Sequence, residues 1–398
     1  MGDMDLVRPL GLAGVDCVVA VPEGAAARFS RFTKTALEWT SPWERPTELL
    51  DTLQKFGQTQ TERPVLFFEN DGELLFVSRN RNELGRYFRF TLPDESLIED
   101  LVDKARFQRL AERLSLPVPP SCRLSVDEQH DFAALKLRYP LVVKPLTRRP
   151  ETWKTIAPSG KAIRVESPDA LANLWPRIVV SGVHVLAQEL IPGDETAIES
   201  YHVYVDRYGE IRGEFTGKKI RTHPVEFGDS TALETTNAHD VMRIGRELVK
   251  QLNLCGVAKF DFKRAPDGAL YLLEVNPRFN LWHHLGAAAG VNLPALVFFD
   301  LTSASKQSVQ RDAVAGKTWC RMWQDALAAK NSSVSMRRWF TWALRCDAKR
   351  LLSWDDPMPF VRGGLWKLQE KFMRTSKRNR SRVDVHLPAA VGVKTHAA

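Results

Sequence analysis

Residues 256–278, GVAKFDFKRAPDGALYLLEVNPR, constrain the fold more than any other stretch. Ala258, Phe260 and Phe262 alternate with Lys259, Asp261 and Lys263, the period-two pattern of a strand with two different faces. Ala265-Pro266-Asp267-Gly268 reads as a turn, with proline fixing φ and glycine supplying permissive backbone. Residues 270–275 then read as a second, apolar strand. Such a hairpin lets Asp261 face Glu274, and Asn276 shares the face of Glu274 because side chains two apart on a strand point the same way. Two carboxylates and an amide oxygen make a hard, oxygen-only site suited to Mg²⁺, which keeps waters and bridges to substrate phosphates. Arg278, two residues on, offers a planar fork for a phosphate oxygen. Asp261 alone reads better as a solvated strand acid. The joint pattern says more, because Glu274 ends an apolar strand, where an isolated charge is costly to bury.

The segments before the hairpin read as alternating strands and helices. Residues 16–21 form a β-branched run, 44–56 carry helical spacing, and 64–68 and 74–77 read as strands around Asn70-Asp71-Gly72. Together they suggest a small α/β domain. Residues 98–121, IEDLVDKARFQRLAERLSLPVPPS, read as one helix stopped by prolines, with Lys104 near its start. By periodicity alone Lys104 is a solvated lysine. Residues 139–145, YPLVVKP, form a buried-type strand ending in Lys144, which either snorkels to water or meets a nucleotide phosphate. The segment after it, 146–164, is basic and contains Ser159-Gly160-Lys161, but it is no P-loop. A further strand, 183–189, runs into Leu190-Ile191-Pro192-Gly193-Asp194-Glu195, either a tight turn or a hinge whose backbone pairs with an adenine edge. Residues 200–205 and 211–215 flank a hairpin turn, and Lys218, Lys219, Arg221 and His223 then crowd one segment. That cluster is a solvated face, or a face for an anionic substrate. Residues 240–252 read as an amphipathic helix and 287–301 as an apolar one. The adjacent His283 and His284 project differently from a helix and are not read as a metal site.

Charge is unevenly placed. The formal net charge is +8, yet residues 303–398 hold 19 Lys and Arg against 7 Asp and Glu, so the rest is mildly acidic. The basic balance belongs to the tail and does not assign the body to nucleic acid. Cysteines 17, 122, 255, 320 and 346 form no CxxC pair, which fits a reducing compartment. The start, MGDMDLVRPLG, does not read as a signal peptide, and no uninterrupted apolar run reaches membrane-spanning length. A cytoplasmic location is expected.

The order of these parts resembles the ATP-grasp superfamily over residues 15–302, and within it the carboxylate–amine ligase branch that includes D-aspartate ligase-like enzymes. The matching stretches are VDKARFQRLAERLSLPVPPS, YPLVVKP, AQELIPGDE, GKKIRTHPVEFGDST, GVAKFDFKR and LLEVNPRFN. The resemblance implies an α/β fold built of α+β subdomains: an N-terminal α/β domain over 1–98, then an ATP-grasp domain over 99–302. In the latter a lid spans about 115–190 and a catalytic part about 191–302. It implies that Lys104 and Lys144 contact ATP phosphates, that Glu189 and Ile191 meet adenine through their backbone, and that Glu195 binds ribose. Asp261, Glu274 and Asn276 would hold two Mg²⁺ ions, with Mn²⁺ an acceptable substitute. Lys259 would stand near the tetrahedral centre, Arg278 would assist the transferred phosphate, and Arg221 would lie near the acceptor or the γ-phosphate. The phosphate-covering segment departs from a glycine-rich pattern, with Trp153 and Pro158 in it. The implied reaction joins a small-molecule carboxylate to an amine through an acyl phosphate, with release of ADP.

Residues 303–398 fall outside the resemblance and carry six of the eleven tryptophans. They read as a basic, mainly helical extension. A helix over 336–354 would place Phe340, Ala343, Leu344 and Leu351 on one side, and 371–382 is a basic run, KFMRTSKRNRSR. An amphipathic basic helix can lie on an anionic membrane surface. The alternative reading of the whole is therefore a binding protein that acts through this tail at a membrane surface or on nucleic acid, with a regulatory or inactive body. For the ligase reading, the expected arrangement is a helical extension packed on the body and followed by a disordered basic end, with peripheral contact at the inner membrane surface as the alternative; nucleic acid is not an expected partner.

Overall fold

The computed structural model describes residues 1–146, 150–153, 155–157, 161–303 and 312–366. Its described strands make three sheets. β1 (Cys17–Ala20) and β2 (Thr33–Leu37) form a parallel pair in the N-terminal part. β3 (Ser121–Leu124), β4 (Leu141–Pro145), β5 (Ile163–Val165) and β6 (Val185–Glu189) form a second sheet in the order β3-β6-β4-β5. The third has seven strands: β7 (Ile198–Val205), β8 (Ile211–His223), β9 (Asp229–Thr236), β10 (Gly256–Arg264), β11 (Leu270–Asn276), β12 (Thr318–Cys320) and β13 (Ala348–Lys349), ordered β11-β10-β7-β8-β9-β12-β13.

The large sheet is covered on both faces, and its central strands supply apolar side chains to each layer. On one face Tyr201, Val203, Ala258, Phe260 and Phe262 pack against Val241 and Leu248 of the helix His239–Gln251 and against Phe107 and Leu110 of the helix Lys104–Arg113. On the other, Tyr204, Phe215, Leu233 and Val257 meet Trp282, Trp319 and the helix Met4–Leu12. Phe260 and Phe262 are both 0% exposed, and each such burial is worth about 2 kcal/mol. The apolar half of β10 thus fixes the direction of its polar half.

Several local expectations are corrected. Residues 74–77 lie in a helix, Asp71–Arg79, and not in a strand. The Asn70 side chain accepts from the Glu73 N–H (2.9 Å), and the Glu73 carboxylate accepts from the N–H of Glu69, one residue before the cap (2.9 Å), so Asn70-Asp71-Gly72 opens a capped helix. The single helix expected over 98–114 is two, Glu95–Val102 and Lys104–Arg113, divided at Asp103, whose carboxylate caps the second by accepting from the Arg106 N–H at 2.9 Å. The apolar helix over 287–301 is likewise divided, into His283–Ala288 and Leu293–Thr302, around Gly290 at φ +96°. Ser159 and Gly160 lie outside the described residues.

The extension is not an appendage. β12 pairs with β9 and β13, adding two strands to the sheet that carries the hairpin. Between them stand the helices Met322–Asn331 and Met336–Arg345. The second helix ends at Arg345, short of 354, and buries Trp339 and Ala343 while Phe340 and Leu344 are each 53% exposed. The expected stripe is therefore rotated: the tryptophan indole, and not Phe340, turns inward. The N-terminal helix is stapled to this end of the chain. Buried Arg8 donates to the carbonyls of Lys349 (2.9 Å), Arg350 and Leu351 (both 3.3 Å), and Trp319 Nε1 donates to Asp5 (2.8 Å). No described helix is long and apolar enough to cross a membrane.

Candidate active site

A cleft of about 1000 Å³ lies between the four-stranded and seven-stranded sheets. Lys104, Lys144, Glu189, Ile191, Glu195, Arg221, Asp261, Glu274 and Asn276 all line it. Lys259 stands behind Asp261, and Arg278 lies off the lining.

The hairpin register sets the acidic wall. Asp261 pairs directly with Glu274, and Lys259 with Asn276. A bulge follows Asp261, so Phe262 pairs with Leu272 and the hairpin bends just beyond the two acids. Asp261 is buried. Its two oxygens accept from Ser200 Oγ and Lys259 Nζ, both at 2.5 Å. The Lys259 ammonium is also 4.0 Å from Glu274 Oε1, so one cation spans both carboxylates. Asn276 Nδ2 donates to Glu274 Oε1 at 3.0 Å. Glu274 itself is 53% exposed in its side chain, which corrects the expectation of a charge at a buried strand end: β11 is an edge strand, and its acid faces the open cleft. Two carboxylates sharing a cation, with an amide alongside, are a donor set that fits Mg²⁺.

The opposite wall is basic. Lys144 Nζ on β4 donates to Gln188 Oε1 on β6 at 2.9 Å. Loss of water around this ammonium, with the Lys104 ammonium nearby, lowers its pKa to about 8 against the pull of Glu274. Lys104 is the first residue of its helix, and its N–H donates to the Leu146 carbonyl (3.2 Å), which ties the two lysine-bearing elements together.

At the end of β6 the sheet leaves an unpaired edge for a simple reason. The Glu189 N–H donates to the Pro120 carbonyl (2.9 Å), but proline has no N–H with which to return the bond. The Glu189 carbonyl and, two residues on, the Ile191 N–H therefore point along the same edge. The Glu189 carboxylate turns away and holds Arg138 through its N–H (2.9 Å) and Nε (3.0 Å). Glu195 accepts from Lys219 Nζ and the Phe227 N–H, both at 3.3 Å. Lys263, on the polar side of β10, donates to the carbonyls of Gly193 (2.7 Å) and Asp194, so the strand bearing Asp261 also fixes the Pro-Gly segment.

Two expected active groups are held by carboxylates outside the hairpin. Arg278 is committed to the N-terminal part: its Nε donates to Asp71 Oδ1 (2.6 Å) and Nη1 to the Glu69 carbonyl (2.8 Å), while Nη2 reaches Asn276 Oδ1 (3.2 Å). It is a clamp between the helix Asp71–Arg79 and the acidic hairpin, and does not project into the cleft. Arg221 lines the cleft but is held from behind by Asp325 of the extension. The basic segment is largely neutralised, since Lys218 meets Glu234 (3.5 Å), Lys219 meets Glu195 and Arg221 meets Asp325. His283 and His284 do not line the cleft. Burial pushes both to about 3, so they are neutral core residues.

Ser200, Gln188, Lys263 and Asp71 hold the expected residues in place and were not singled out in the sequence. Only Lys263 carried a signal, as the third polar residue of the β10 alternation.

This geometry can be set beside known proteins. The family described as "ATP-grasp in the biosynthetic pathway with Ter operon" matches residues 185–320. D-aspartate ligase of Enterococcus faecium is 23% identical over 290 residues, covering 69% of this chain and 68% of that protein. Carbamoyl phosphate synthase large chain of Xylella fastidiosa is 28% identical over 190 residues, but the chain spans only 16% of its length. Among solved structures, N5-carboxyaminoimidazole ribonucleotide synthetase in complex with ADP superposes with a TM-score of 0.60 at 14% identity, covering 79% of this chain and 77% of that one. The fold is the ATP-grasp fold.

Proposed function

We propose, for a chain that carries an ATP-grasp domain, that it is an ATP- and Mg²⁺-dependent ligase which activates a carboxylate as an acyl phosphate and joins it to an amine. The observation that carries this reading is the pairing of Asp261 with Glu274, bridged by one ammonium, in the cleft that Lys144 and Lys104 line.

In this reading Lys144 and Lys104 bind the nucleotide phosphates, the Glu189 carbonyl and Ile191 N–H pair with the adenine edge, and Glu195 accepts from the ribose hydroxyls. Asp261, Glu274 and Asn276 hold Mg²⁺, which when bound neutralises charge on the phosphate oxygens. A substrate carboxylate oxygen attacks the γ-phosphorus, and the bond from that phosphorus to the ADP oxygen breaks. The amine then attacks the acyl carbon, loses a proton, and expels inorganic phosphate. Lys259, whose ammonium lies beside both carboxylates, would supply positive charge to the oxyanion that forms in this second step. Arg278 acts indirectly, by fixing Asn276. The named relative acts on aspartate; for this chain the identity of the acid and the amine is proposed only as that class. The tail-driven alternative has less to support it, because the extension through residue 366 contributes strands and helices to the same body.

The test is calorimetric titration of the purified chain with a non-hydrolysable ATP analogue, with and without Mg²⁺. Mg²⁺-dependent binding should be lost in Glu274→Gln, and ADP release on screening acids with amines should fall with it. Unchanged Mg²⁺-dependent binding in a folded Glu274→Gln chain would remove the basis of the proposal.

A further inference from the structure

Arg221 is aimed by unusual backbone. The β8–β9 register shifts on both sides of it, between Lys219 and Arg221 and again between Arg221 and Thr222. Bulges of this kind re-aim a side chain and concentrate beside active sites. The guanidinium then meets Asp325 of the helix Met322–Asn331 edge-on, donating from Nε at 2.8 Å and from Nη2 at 2.7 Å. Asp325 is 0% exposed and accepts two further bonds, from Thr231 Oγ1 and Trp339 Nε1, both at 2.8 Å. The Trp342 ring covers the guanidinium face at 4.3 Å. Carboxylate, indole N–H and aromatic face all come from the helical hairpin of the extension, and Ser332 and Val334 of its connecting turn line the same cleft as Arg221.

A surface ion pair would not be built this way. Four hydrogen bonds converge on one fully buried carboxylate, and the arginine it holds still reaches the cleft, with its side chain 13% exposed. Among the described residues nothing bonds to Arg221 Nη1. One edge of the fork is thus locked, and Nη1 is left to a residue that lines the cleft, a pre-organised receptor for an oxyanion.

We infer that the hairpin 322–345 belongs to the active site: through Asp325, Trp339 and Trp342 it positions Arg221 as a subsite for an oxyanion of the bound reactants, with Ser332 and Val334 walling that end of the cleft. The inference rests on the ligase reading for the identity of the cleft. The oxyanion is a carboxylate of a substrate or the terminal phosphate of the nucleotide, and Asp325 and Trp342 are positioning residues in either case.

The test uses the full chain and two probes, malonate and a non-hydrolysable ATP analogue with Mg²⁺, with ADP as the reference nucleotide. Affinities are measured for wild type, Arg221→Gln, Asp325→Asn and Trp342→Leu. A substrate-carboxylate subsite predicts malonate binding weakened at least tenfold in Arg221→Gln and Asp325→Asn and about threefold in Trp342→Leu, with nucleotide affinity unchanged. A terminal-phosphate subsite predicts the same losses for the ATP analogue and none for ADP. Trp342→Leu leaves the buried carboxylate in place, so it decides the matter should Asp325→Asn fail to fold. Variants that lose thermal stability yet bind both probes like wild type would overturn the inference and leave the ligase reading intact. A wild-type chain that binds malonate through Arg221 but no nucleotide would do the reverse. Binding of neither probe would overturn both.

Discussion

Raising the pH from about 7 to about 9 should weaken nucleotide binding about tenfold, with Lys144 as the cause. Its ammonium is short of water on β4 and faces Lys104, which together bring its pKa down from 10.5 to about 8. Only the charged form attracts a phosphate. By that pKa about nine-tenths of free chains carry the charge at pH 7 and about one-tenth at pH 9, a difference of about 1.4 kcal/mol in binding. A bound phosphate favours the ammonium and raises its pKa, so binding near pH 8 should take up about half a proton. Calorimetry with Mg²⁺ and a non-hydrolysable analogue, in two buffers of different ionisation enthalpy, reads affinity and proton uptake together. Lys144→Met should bind more weakly at neutral pH and show neither effect. Equal affinity at both ends of the range in wild type, or a pH dependence that survives in Lys144→Met, would refute the argument.

Acid should also unfold the chain through its buried histidines. His283 has a folded pKa pushed by burial to about 3 against an ordinary 6.5, and among the described residues neither ring nitrogen has a hydrogen-bond partner. A depressed histidine pKa means that the unfolded state takes up the proton first. Its contribution is intact above about pH 6.5 and is lost as the pH falls towards 3, up to an order of 4 kcal/mol. Urea midpoints measured across that range should fall less steeply in His283→Phe, and parallel curves would contradict this. Gly245 lies on the helix His239–Gln251 where an added Cβ would stand 2.2 Å from Tyr201 Cδ1. Gly245→Ala should therefore lose about 1–3 kcal/mol to overpacking despite its better helix propensity, and a raised melting temperature would show that the contact relaxes.

What could be read from the sequence was local. The hairpin was legible because alternation, turn chemistry and the apolar second strand all lie within 23 consecutive residues. The Lys144 strand was legible for the same reason, whereas the edge at Glu189 and Ile191 depends on Pro120, 69 residues earlier. Asp71–Arg79 was misread because Asn-Asp-Gly favours a hairpin turn and a helix start alike, and the cap that Asn70 gives the Glu73 N–H is what decides between them. The partners of the two arginines were beyond reach. Arg221 meets an acid 104 residues later, and Arg278 one 207 residues earlier. No pattern of spacing reports such a pair, so the sequence could suggest anionic ligands for both arginines but not the carboxylates that hold them. The extension was hidden for a related reason: β12 and β13 are too short to show alternation, and they are strands only because β9 leaves them an edge.

The staple between the first helix and residues 349–351 bears on how the chain is made. A ribosome releases Asp5 and Arg8 early, yet their partners in Trp319 and the carbonyls of 349–351 are more than 300 residues downstream. At ordinary rates of synthesis those partners arrive roughly 20–70 s later. Until then a buried acid, a buried base and the apolar side of the first helix have no finished surface to join, and the sheet lacks its last two strands. The nascent protein must be kept from aggregating over nearly its whole synthesis, so its yield in a foreign host should respond to chaperone supply and slow growth temperature more than to any single substitution on its surface.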